Sequence, residues 1–252
     1  MIAGNGMTAL LLFMVAAWAG AQNALAGGGS FLILPTLMFA GLDARAANIT
    51  SCVALFPAQI ATGWTGRALA SGASGLSLRT LFALSIFGGA VGAVILLITP
   101  ADLFARLVPW LVLFATLVFA WGSFFRKSGD GAKHVGPFGA GLAQLLISIY
   151  GGYFGGGIGF LMVAALTFAG QSARIASATK NVLAGVMNAS AVLIFLFSPD
   201  LHWHEALATS LGAIVGGVLG ARALRHIDEK LLRVLVVTIG AALTIGLFYR
   251  AR

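Results

Sequence analysis

The sequence predicts an all-α polytopic membrane protein made of two inverted repeats. Each repeat is a glycine-broken, re-entrant helix pair followed by three transmembrane helices. Three observations carry this reading. Of the 252 residues 60% are hydrophobic and 9% charged, with a mean hydropathy of +1.00, which is too apolar for a soluble domain. Apolar stretches close to the roughly 20 residues that one crossing needs recur along the chain. Finally, a gapless shift of 129 residues lays positions 27–50 on 156–179 with 12 identities in 24 positions. The matches include Gly27-Gly28 on Gly156-Gly157, Arg45 on Arg174 and Thr50 on Thr179. Chance agreement between apolar runs would not align an arginine, a threonine and paired glycines.

Taken in order, the apolar stretches of the first half are Met7–Leu25, Phe31–Gly41, Ala46–Leu69, Leu78–Ile98 and Leu103–Phe125. Leu10 to Ala19, followed by Gly20-Ala21, resembles the apolar core of a signal peptide. Residues 1–8 carry no Lys or Arg, however, and the second half has an equivalent stretch, so this segment is expected to be mature structure. A polar run from Arg126 to His134 is the one soluble-looking stretch. The second half repeats the plan as Pro137–Ile149, Ile158–Gly170, Ile175–Phe197, Ala206–Leu224 and Leu231–Tyr249. The organisation is therefore a first membrane repeat over 1–125, a linker over 126–135 and a second repeat over 136–252. Gly88-Gly89 with Gly92 resembles Gly216-Gly217 with Gly220, and small residues at this spacing let membrane helices approach closely.

The first two stretches of each half decide the topology. Pro137–Ile149 and Ile158–Gly170 are each too short to cross alone at about 1.5 Å per residue. Either they make one bent crossing or they make a hairpin whose glycine tip, Gly151 to Gly159, lies inside the protein. With hairpins, ten of the Lys and Arg residues fall on one side (67, 79, 126, 127, 133, 174, 222, 225, 230, 233) and four on the other (45, 106, 250, 252). With single crossings the split is seven against seven, which orients nothing. The positive-inside bias selects the hairpins. It places the linker in the cytoplasm and both termini outside.

Irregular backbone cannot face lipid, so the tips must be buried in protein or line a cavity. Helices restarting at Phe31 and Phe160 present N–H groups and the positive end of the helix dipole, which suits an anion. Glycine lets the backbone approach a ligand without an intervening Cβ. These arguments single out Gly28, Gly29, Ser30 and Phe31 at the first break, with Ser30 a good helix N-cap in its own right. At the second they single out Gly156, Gly157, Ile158 and Gly159. The helix after each break adds polar side chains: Thr179, Lys180, Asn181 and Asn188 in the second half, with Ser51 and Gln59 among their first-half counterparts. Lys180 and Asn188, eight apart, are expected to share roughly one helical face. Lys180 either faces the site or snorkels toward Arg174 and the headgroups. Asn181, Asn188, Gln59 and Ser51 either bind ligand or hydrogen-bond between helices.

Other signals are weak. Gly155-x-Gly157 resembles part of a dinucleotide fingerprint but lacks the strand that gives it meaning. His202-x-His204-Glu205 sits at a span boundary beside Trp203, as membrane-interface residues do, and its spacing suits no metal site on one helix face. No cofactor and no metal are expected. The single cysteine, Cys52, excludes a disulfide relay. All seven acidic residues lie in expected loops or at span ends, which disfavours a cation pump. No nucleophile–base pair is visible, so no enzyme is expected.

At this point the residues resemble a known family. Gly27-Gly28-Gly29-Ser30-Phe31 to Pro35 with Ala44-Arg45-Ala46, echoed by Gly151-Gly152-Tyr153-Phe154-Gly155-Gly156-Gly157 to Thr179-Lys180-Asn181, are similar to the sulfite exporter TauE/SafE family. The resemblance implies transport of a small sulfur oxyanion or sulfonate across the bacterial inner membrane. Export is the expected direction, with Lys180 as countercharge between the two breaks. The rival readings are a passive small-anion channel and a non-transporting membrane scaffold. The expected surroundings are the lipid bilayer, without nucleic acid, and a homodimer is one assembly open to the chain.

Overall fold

In lipid every backbone polar group must find a partner inside the protein, and helices achieve this within one segment. The computed structural model describes residues 5–25, 29–121, 135–223 and 229–250, and they are almost entirely helical. The elements are α1 (Asn5–Leu25), α2 (Ser30–Phe39), α3 (Ala44–Gly66), α4 (Leu78–Ile98), α5 (Ala101–Ala120), α6 (Pro137–Tyr153), α7 (Ile158–Phe168), α8 (Ala173–Phe195), α9 (Trp203–Ala223) and α10 (Glu229–Arg250). The linker, apart from Val135, lies outside the described residues, as do Gly27 and Gly28. Among the described residues α4, α5 and the stretch Arg174–Phe195 of α8 are long and apolar enough to cross a membrane. Helix starts follow local chemistry. Asp43 accepts from the Arg45 and Ala46 N–H groups at 2.9 and 3.0 Å to cap α3, and Ser77 accepts from Thr80 N–H to cap α4.

The two halves pack by exchange. Helix α1 lies on α9 and α6 lies on α4; α3 meets α9 and α8 meets α4; within each half α2 meets α3 and α7 meets α8. Two pairs join equivalent helices, α3 with α8 and α5 with α10. Glycines set the closest approaches. A Cβ on Gly216 would collide with the Ala17 carbonyl, and one on Gly92 with the Ile149 carbonyl and, at 2.7 Å, with the Tyr153 nitrogen. Gly20 and Gly88 are equally confined, so the small-residue pattern marks packing in both halves. Large apolar side chains such as Leu10, Met14, Trp18, Phe87, Trp110 and Leu193 point outward, where lipid replaces a protein neighbour.

Two clusters of loop contacts mark opposite ends of the bundle. At one end Val135 N–H donates to Phe168 O at 3.1 Å, and Ser74 N–H to Ala169 O at 3.1 Å. There too Gln171 Nε2 donates to Ser71 O at 3.0 Å. The start of α6 and the end of α7 are thus tied together, so the two helices fold back on one another as a hairpin. At the other end the Arg45 guanidinium pairs with Asp200 at 2.8 Å and donates to Thr99 O at 2.9 Å. Two equivalent threonines anchor the loops across halves: Ser71 N–H donates to Thr179 Oγ1 and His202 N–H to Thr50 Oγ1, both at 3.2 Å.

Candidate functional site

The second break lies later than the sequence suggests. Helix α6 does not stop at Ile149; it runs on through Gly151 and Gly152 to Tyr153. Those two glycines serve close packing inside the helix. A Cβ on Gly152 would land on the Gly89 backbone of α4, and one on Gly151 would lie 2.6 Å from the Met187 methyl carbon. The chain breaks at Phe154, whose N–H returns to Tyr150 O at 2.9 Å. Gly155 and Gly157 then take φ of +79° and +74°, left-handed values that cost an L side chain about 1–2 kcal/mol. The tip is buried: Phe154 is 6% exposed, and its ring folds beneath Gly156. Gly157 rests on Ala115 of α5.

At the first break Gly29, not Ser30, occupies the cap position of α2, and no side chain caps it. Ser30 is the first helical residue and Phe31 the second. Freed from capping, Ser30 lines a cavity together with Asn48 of α3 and with Phe154 and Gly156 of the second tip. Leu34, Val112 and Leu247 supply much of the apolar remainder. The two breaks therefore meet at one small, mainly apolar space with a few polar groups and room for about one water molecule.

The polar residues of α8 divide between two neighbours. Eight residues along a helix are rotated by about 80°, and that offset separates Lys180 from Asn188. Lys180 faces the second hairpin. A Cβ on Gly159 would stand 3.5 Å from Lys180 Cδ and 3.8 Å from its Nζ, so the side chain lies along the first turn of α7. Among the described residues this ammonium makes no hydrogen bond or ion pair. Asn188 instead faces α3, and the backbone at Asn181 packs against the same helix. The Asn181 carbonyl is 3.2 Å from a Cβ built on Gly63, and Asn188 Nδ2 donates to Gln59 Oε1. Gln59 and Asn188 are 129 apart, the repeat shift itself, so two equivalent residues bond to each other where α3 crosses α8. The expectation of one shared face for Lys180 and Asn188 does not hold.

Thr179 is fully buried and its hydroxyl oxygen accepts from the Ser71 N–H. Ser51 is 3% exposed on α3. Ile158 is buried against Gly151 and joins the apolar cluster of Met162, Leu183 and Met187. At the start of α7 the Phe160 N–H donates to Gly157 O at 3.2 Å. The N–H groups of Ile158 and Gly159 are those that a helix start leaves without an intrahelical acceptor.

Asn48 escaped the sequence reading. It is 6% exposed, and its Nδ2 donates to Tyr153 O, the last carbonyl of α6, at 3.0 Å. The polar candidates that the sequence offers on these helices start at Thr50 and Thr179, and Asn48 and its counterpart Ser177 lie two residues earlier. The available clue was that both of these equivalent positions are polar inside apolar stretches. The two have different fates: Ser177 is exposed, whereas Asn48 reaches across to the other half.

Among the described residues expected at the site, Ser30 and Gly156 line this cavity; Lys180 lies beside Gly159 of the second break, outside that lining. A family model described as sulfite exporter TauE/SafE matches residues 12–247. A probable membrane transporter protein, ORF9, of Sinorhizobium sp is 31% identical over 242 residues, covering 94% of this chain and 90% of that protein. The probable membrane transporter protein YfcA of Escherichia coli strain K12 is 27% identical over 244 residues, covering 95% and 89%. A probable membrane transporter protein of Haemophilus influenzae is 27% identical over 248 residues, covering 95% and 94%.

Proposed function

The chain belongs to the sulfite exporter TauE/SafE family of membrane transporters, and from that premise we propose that it carries sulfite or a small organosulfonate outward across the bacterial inner membrane, binding the anion where its two helix breaks meet. One observation carries the reading: Ser30 of the first break and Gly156 of the second line the same cavity. The Lys180 ammonium lies against Gly159, three residues along the second tip. An ammonium beside a helix start places two positive ends together, an arrangement that an anion between them relieves. The N–H groups of Ile158 and Gly159 supply further donors, and charge-assisted bonds of this kind are the stronger class.

The inverted-repeat mechanism is part of the proposal. It is supported by the exchange of packing partners between halves and by the Gln59–Asn188 bond between equivalent residues. The hairpin geometry of α6 and α7 supports it further. In this scheme the substrate sits between the breaks and access alternates as one repeat rocks against the other.

Reconstituted in liposomes across which a proton or sodium gradient is imposed, the protein is expected to accumulate labelled sulfite or organosulfonate against its own gradient. Equilibration without accumulation would replace the carrier by a channel, and no flux of any sulfur anion would remove the reading. Topology is tested separately in a Cys52→Ala background. A cysteine at Ser128 is expected to react only from the cytoplasm and one added after Arg252 only from outside, following the ten-to-four charge bias. Labelling of both from one side would exclude inverted repeats.

A further inference from the structure

We propose that Asn48 is a substrate-positioning residue: one amide N–H fixes the second tip and the other is offered to the anion in the cavity. This rests on the tip cavity being the transport site. The α6 carbonyls at its C-terminal end have no intrahelical donor, and Asn48 supplies one to Tyr153 O at 3.0 Å from the opposite half of the molecule. Because the partner is a backbone carbonyl, the amide atom facing it must be the nitrogen. A primary amide has two N–H groups. The second makes no bond among the described residues, while Asn48 itself lines the cavity beside Ser30 and Gly156.

The duplication argues that this is not a requirement of the fold. The equivalent of Asn48 is Ser177 and that of Tyr153 is Ala24. Ser177 carries one short hydroxyl in place of an amide and is exposed. Its side chain makes no hydrogen bond among the described residues. The second half thus lacks a reciprocal tether at this position, yet α8 pairs with α3 and α4 as the exchange of halves demands. An amide tether present in one half alone, buried and facing the space between the breaks, serves what the two halves do not share. It gives the cavity one polar wall whose distance from Gly156 is fixed through Tyr153 and Phe154.

Asn48→Leu keeps the approximate volume and removes both donors. Asn48→Asp keeps the shape and turns a carboxylate toward the Tyr153 carbonyl and the anion. In proteoliposomes loaded with labelled sulfite or a two-carbon sulfonate, Asn48→Leu is expected to raise KM about tenfold. Asn48→Asp is expected to raise it further, with kcat within about twofold of the parent in both. A residue that only supports the fold would change the amount of protein and its Tm, leaving KM alone. Unchanged KM in both variants, with flux lost in Gly156→Leu, would overturn the role of Asn48 and leave the site standing. Unchanged KM in both with flux retained in Gly156→Leu would overturn the site as well. Failure of both Asn48 variants to accumulate in the membrane would make Asn48 a structural residue and overturn the proposal.

Discussion

Replacing Gly157 with Leu is expected to reduce anion flux to background while the protein still reaches the membrane. Two independent terms act at this position. Its φ of +74° lies in the region that side-chain-bearing residues avoid. An added Cβ would also stand 3.0 Å from the Ala115 Cβ and 3.2 Å from its Cα. The tip must then shift away from α5, and the cavity it shares with Ser30 changes shape. Gly156→Leu separates the two terms. Gly156 has no left-handed backbone, and its added Cβ meets the Phe154 ring at 2.6 Å, so its effect reports space alone. The helix interfaces, α1 on α9 and α6 on α4, are untouched by either change, which is why insertion is expected to survive. Flux measured against the amount of inserted protein is the test. Undiminished flux in both variants would mean that the tip does not meet substrate.

Lys180→Met is expected to weaken anion binding by roughly 1.5–3 kcal/mol, about ten- to a hundredfold, the size of a charge-assisted hydrogen bond. Lys180→Arg should keep part of the affinity, because the charge persists while the donor geometry changes. The structure sharpens this expectation. The Lys180 side chain lies along the first turn of α7 beside Gly159 rather than reaching back toward Arg174. No carboxylate among the described side chains neutralises it. Titration of the purified variants with sulfite decides the matter. Equal affinity in Lys180→Met and the parent would leave the helix starts as the main source of positive potential.

Much of the fold can be read in one dimension because lipid imposes one-dimensional rules. Leu78–Ile98 is α4 to the residue, since its ends are set by Ser77 and by the Thr99-Pro100 pair, both local signals. The start of α6 at Pro137 and that of α7 at Ile158 were equally local. The end of α6 was not. Glycine pairs serve both as breaks and as contact points, and Gly151-Gly152 differ from Gly155 and Gly157 only in what lies opposite them. The Gly89 backbone of α4 occupies the space that would otherwise hold a Cβ at Gly152, and that crossing appears in no stretch of sequence.

The candidate site divides in the same way. The duplication of 129 residues, carried by Arg45 and Arg174, Thr50 and Thr179, and Gln59 and Asn188, is written in the sequence. It pointed to Ser30 and Gly156, which line one cavity, but not to Asn48, which lines it with them; Gln59 and Asn188 bond to each other instead. Which of those residues face one another was decided by packing. The rotation of about 80° between Lys180 and Asn188 turned one toward Gly159 and the other toward Gln59. Asn48 and Ser177 are equivalent polar residues in the sequence, and packing alone brings the first within 3.0 Å of Tyr153 O and leaves the second exposed. Hydropathy and repeats report what each residue is and which half it belongs to. Contacts between residues far apart in the chain depend on how helices cross, and only the tertiary structure sets those crossings.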